Sequence, residues 1–158
     1  MKSTLETNMK KLYNKAPSAF KVLPNALCTL GLWGALVSMS AVAQPVTVQL
    51  TGAQEVPAVM TAATGSGVIT VGADKSVSGS VTVSGLEPTM AHIHEAAAPN
   101  ANGPVIVPMA KMADNVWSVP AGAKLTDAQF ESFKKGHLYV NVHSAANKGG
   151  EIRAQLKP

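Results

Sequence analysis

From Pro45 to its end the chain reads as short β-rich runs cut apart by turn residues, a spacing that restricts it to an antiparallel sandwich or barrel. The runs are Val46-Leu50, Gly67-Val71, Val77-Val83, Met90-Glu95, Val105-Met109, Val116-Val119, His137-Ser144 and Glu151-Leu156. Between them stand Gly65-Ser66-Gly67, Gly72-Ala73-Asp74-Lys75, Ser84-Gly85, Pro99 to Pro104 and Lys148-Gly149-Gly150. Glycine, proline, asparagine and aspartate punctuate by supplying backbone angles that strands reject. The expected fold is all-β, an antiparallel Greek-key-like sandwich of about eight strands. One short helix is expected at 127-135. Thr126 is its N-cap, Gln129 its capping-box partner, Leu125 a staple onto Phe130, and Gly136 its stop.

Two of these runs carry chemistry. Alternate residues of a strand share a face, so His92 and His94 present both imidazoles to one side while Ala91 and Ile93 face a core. In the later run His137, Tyr139, Asn141 and His143 share one face, and Leu138, Val140 and Val142 share the other. A pair at i and i+2 with a third histidine arriving on another strand suits copper or zinc, since imidazole serves both. The expected ligands are His92, His94 and His143. Met90, on the face of His92, would add a soft thioether and favour copper, whereas Glu55, Glu95 or Tyr139 would add oxygen. The competing reading is three part-exposed histidines hydrogen-bonded to their neighbours. Glu151 and Arg153 share a face of the last run, where they either pair with each other or with adjacent strands, or orient a ligand histidine. Glu55 reads equally as a turn carboxylate or as a partner of the site. Asn141 is expected to bond a loop, and Trp117 and Tyr139 to be core and edge aromatics.

Charge and the first 43 residues narrow the function classes. The whole chain carries a formal charge of +4. Five of its bases, Lys2, Lys10, Lys11, Lys15 and Lys21, precede residue 44 against the single acid Glu6, and the chain from Gln44 onward is balanced. A neutral domain offers no electrostatic footprint for nucleic acid. The basic leader, the apolar stretch from Ala26 to Met39 and the Ala41-Val42-Ala43 pattern predict an export signal over 1-43, cleaved after Ala43. The alternative is an uncleaved membrane anchor, the stretch being near the ~18 residues of a spanning helix. With cleavage, no stable membrane anchor is expected, and the domain at 44-158 is periplasmic or secreted. The only cysteine, Cys28, lies in the leader, so the exported domain would use neither disulfides nor thiolate ligands. No serine sits in a Gly-x-Ser-x-Gly turn, and no paired carboxylates mark glycosidic chemistry.

Five segments, in order, resemble the CHRD domain, the module named after its repeats in chordin: Leu50 to Pro57, Ala91-His92-Ile93-His94, Asn102-Gly103-Pro104-Val105, Leu138 to His143, and Gly149 to Leu156. The resemblance spans essentially all of 44-158. It implies an exported, all-β domain; in the animal protein it implies binding of bone morphogenetic growth factors, and for single-domain bacterial members it implies no settled activity. Ala58 and Lys148 stand where the family commonly has proline, and His137 where other members often carry a different polar residue.

A more distant likeness is local. Val83 to Glu95, then Val142-His143 and Gly150-Glu151-Ile152-Arg153, are similar to the copper-binding segments of copper-zinc superoxide dismutases. That likeness implies copper on His92, His94 and His143, with Arg153 near the open coordination position. It stops there: no histidine lies between Glu95 and Gly136, so the bridging and zinc histidines of those enzymes have no counterpart. Three functions remain. The first is metal binding without turnover. The second is an extracytoplasmic protein- or polymer-interaction module whose 96-103 loop does the recognition. The third is a copper-dependent redox enzyme.

Overall fold

Hydrophobic alternation decides which side of each strand is buried. The computed structural model describes residues 43-158, so the expected export signal, its cleavage site and Cys28 lie outside the described residues. Nine strands form: β1 (Gln44–Thr51), β2 (Thr64–Val71), β3 (Val77–Ser84), β4 (Pro88–Glu95), β5 (Val105–Pro108), β6 (Ala110–Ala113), β7 (Val116–Ser118), β8 (Leu138–Ser144) and β9 (Ile152–Leu156). Their order is β5-β4-β8-β9-β1-β2-β3-β7-β6, and every pairing is antiparallel. The single residue pair Thr51–Arg153 joins β1 to β9, so the sheet folds there into two halves. Val48, Leu50, Ile69, Val71, Val81 and Val83 of one half meet Ala91, Ile93, Val140, Val142, Ile152 and Leu156 of the other in one core.

The helix α1 (Asp127–Lys134) begins and ends as its sequence signals require. Thr126 Oγ1 accepts from the Gln129 N–H at 3.2 Å, and Gln129 Oε1 accepts from the Thr126 N–H at 2.9 Å. Gly136, at φ +69°, ends it with two bonds, its own N–H to Phe133 O and that of His137 to Ser132 O. Lys135 is the C-cap rather than a helical residue. Phe133 is buried, and Phe130 and Leu125 pack on the same core, so α1 is held by a narrow apolar stripe before β8.

Two elements depart from the expected pattern. β6, sequence Ala110-Lys111-Met112-Ala113, is a ninth strand with every residue exposed; it lies at a sheet edge held by β7, so no alternation betrays it. Gly65-Ser66-Gly67 is the body of β2 and not a turn. A Cβ on Gly67 would lie 2.0 Å from Ser80 O, so this glycine serves the close approach of β2 to β3.

Candidate metal centre

The β4–β8 register builds the site. Met90 stands opposite His143, His92 opposite Asn141 and His94 opposite Tyr139, while Asn141 stands opposite Arg153 of β9. All lie on the face turned away from the apolar core, whose residues Ala91, Ile93, Val140 and Val142 alternate with them. That outer face is nevertheless largely dry. His94, His143, Asn141, Glu55, Glu151 and Tyr139 are buried, and Arg153 has 0% exposure. The cover comes from the 96-104 loop and the short 3-10 turn Gly52–Gln54 with the residues after it.

His92, His94 and His143 come together, one ring nitrogen of each lying within 4.8 Å of the other two. Two of the rings are fixed by backbone carbonyls: His94 Nδ1–H donates to Gly103 O at 2.9 Å, and His143 Nδ1–H donates to Lys148 O at 2.9 Å. Each ring thereby carries its lone pair on Nε2. His94 Nε2 is buried with no hydrogen-bond partner. His143 Nε2 faces His92 Nδ1 at 3.0 Å, so with His143 Nδ1 occupied the shared proton belongs to His92. A metal ion would take the place of that proton once His92 carries it on Nε2 instead, the ring staying neutral.

The electrostatics agree with this role. Burial, then the neighbouring His143 and His94, push the His92 pKa down to about 4. Burial lowers His94 and His143 as well, against the pull of the Gly103 and Lys148 carbonyls. At neutral pH all three rings are unprotonated, the form that ligates metal, so binding releases no imidazolium proton. The donor set fits an imidazole-preferring ion such as copper or zinc.

The other expected site residues are placed around this trio. Met90, 45% exposed, is at the open side beside His143. Tyr139 stacks on His94 with ring centroids 4.8 Å apart, and its hydroxyl bonds Gly103 through both N–H and C=O. Arg153 lies on the opposite face of Tyr139, 3.5 Å from the ring centroid, because β8 separates β4 from β9. Its guanidinium donates to Ala101 O, Asn102 Oδ1 and Gln155 Oε1. It therefore ties down the 96-104 loop one ring away from the histidines rather than facing the open position that the superoxide dismutase likeness implies. Glu151 does not pair with it: Glu151 accepts from Thr61 Oγ1 at 2.8 Å, and the described residues give Arg153 no salt bridge.

Glu55 sits behind Asn141, where burial raises its carboxyl pKa against the pull of Arg153 and the Asn141 amide. Asn141 also neighbours His94, but its Oδ1 has no hydrogen bond of ordinary geometry. His137, by contrast, is not among the three; its carbonyl accepts from Ala96 N at the far end of β8. Sequence reasoning missed Gly103 and Lys148, which act through main-chain carbonyls and leave no side-chain signal. Gly103 had one clue, its place in Asn102-Gly103-Pro104 between two strands.

The pattern that defines the CHRD domain matches residues 46–156. The chain belongs to the CHRD domain family. No curated protein and no solved structure matches it. The CHRD match covers all nine strands apart from the first two residues of β1, and with them the histidines and the carbonyls that orient them. Among the described residues no helix is long and apolar enough to cross a membrane.

Proposed function

We propose that this CHRD-domain protein is exported under the signal at 1-43 and binds one copper or zinc ion through His92, His94 and His143, holding it without turning over a substrate. The observation that carries this is the convergence of three neutral imidazoles, two of them bonded to carbonyls through Nδ1 so that the lone pair is on Nε2, and one of those Nε2 atoms buried with no hydrogen bond of ordinary geometry. An unpaired buried ring nitrogen costs free energy that a ligand recovers. Arg153 is fully engaged by the loop and Gln155, which supports storage or transport rather than superoxide-type turnover. The 96-104 loop likewise spends its backbone on His94, Tyr139 and Arg153, which supports a site-covering role over partner recognition.

Calorimetric titration of the purified, chelator-stripped protein with zinc and with copper tests this. One equivalent should bind, and the triple variant His92→Ala, His94→Ala, His143→Ala should lose it. Binding no tighter than in the triple variant sinks the proposal. A protein that comes from the export compartment empty, stays empty and loses a partner when the 96-103 loop is shortened would instead be an interaction module.

A further inference from the structure

Two properties of the trio discriminate among ions. One is charge. The histidine group includes no carboxylate, and the ionised side chain that the fold fixes nearest to it along the stack is a cation: Arg153 lies against Tyr139, which lies against His94. A dication at the histidines meets twice the repulsion that a monocation meets at the same place, in a setting where burial weakens screening. Glu55 is set behind Asn141, outside the trio, and Glu151 is held by Thr61.

The other property is softness. Met90 is two residues before His92 on the same face and directly across from His143. Cross-strand pairs hold their Cβ atoms about 4.5–5.5 Å apart, within reach of an unbranched thioether. Tyr139 and Gly103 cover His94, and the Lys148 carbonyl takes His143 Nδ1. Met90 is the half-exposed neighbour through which an ion would enter.

We propose that the ion is copper(I), and that the Met90 thioether is its fourth donor and its point of entry. This rests on the three-histidine reading. Three imidazoles and a thioether form a neutral, soft donor set that leaves a complex of single positive charge; a thioether suits copper(I), whereas zinc takes thiolate, imidazole or carboxylate ligands.

The test uses the purified protein under anaerobic conditions, with copper(I) affinity read by competition against bicinchoninate and zinc affinity by competition against a chromophoric chelator. Met90→Leu keeps the size of a half-exposed side chain, so folding is retained. Copper(I) should bind at least about a hundredfold more tightly than zinc. Met90→Leu should weaken copper(I) by about tenfold or more while leaving zinc within about twofold, and should remove a sulfur scatterer from the copper absorption-edge spectrum. Zinc binding as tight as copper(I), a copper(II) affinity above that for copper(I), or no effect of Met90→Leu on copper(I) would overturn the inference. In each of those cases the three-histidine site stands as long as the triple variant loses the metal. No binding of any of these ions by the unaltered protein overturns both.

Discussion

Gly103→Ala probes the joint between fold and site. A Cβ at Gly103 would lie 1.7 Å from Glu95 O, 2.6 Å from Glu95 C and 2.8 Å from the Ala96 Cα, all backbone atoms. Those atoms cannot retreat cheaply, because Glu95 N–H is bonded to Pro104 O and Ala96 N–H to His137 O. The loop must lift instead, and three bonds go with it: His94 Nδ1 to Gly103 O, and the two between Gly103 and the Tyr139 hydroxyl. At about 1 kcal/mol net each, the loss is about 3 kcal/mol. For a domain of this size that lowers the melting temperature by more than about 10 °C. His94 would also lose the carbonyl that orients it, weakening metal binding by about 10- to 100-fold. Thermal melting by circular dichroism in chelator, followed by metal titration at a temperature where both proteins are folded, reads the two effects separately. Gly149→Ala is the control, since its Cβ would meet nothing within 4 Å. A Gly103→Ala protein that melts within about 2 °C of the unaltered one and binds metal equally well would refute the reasoning.

Further outcomes rest on the same contacts. Because the folded-state pKa of each site histidine lies below its ordinary value, the unfolded chain takes up protons first on acidification. Metal-free stability should hold above about pH 6.5 and fall below it, His92 contributing down to about 4; pH-dependent urea unfolding, with the triple histidine variant flat by comparison, checks this. Arg153→Leu strands Ala101 O and the Asn102 and Gln155 side chains and removes the stack on Tyr139, for an expected loss of about 2–4 kcal/mol by urea denaturation and faster cleavage of the 96-104 loop in limited proteolysis. Thr126→Ala removes a capping bond far from the histidines, so stability should drop by about 1 kcal/mol while metal affinity stays unchanged.

The parts of this protein that were readable in its sequence are those whose physics is local. Alternation in Met90-Glu95 and His137-Ser144 marked both the buried and the imidazole faces, and the Thr126–Gln129 box located the helix start. Convergence of His143 with the His-x-His pair was legible because strand periodicity fixes which side chains share a face. What stayed hidden depends on distant chain segments. β6 is fully exposed and carries no period, and Gly67 looks like a turn glycine until β3 lies against it. Arg153 and Glu151 look like a pair on one strand, yet their partners are Ala101, Asn102 and Thr61, 50 to 90 residues away. The carbonyls of Gly103 and Lys148 are invisible because every residue has one.

The most direct test of the histidine site is a crystal structure of the metal-loaded protein, with the ion located by anomalous scattering at its own absorption edge. A single ion at ~2.0–2.2 Å from one ring nitrogen each of His92, His94 and His143, with the Gly103 and Lys148 carbonyls still bonded to the Nδ1 atoms, is the expected result. An ion held elsewhere, or three histidines that keep the His92–His143 hydrogen bond with no ion between them, would contradict it.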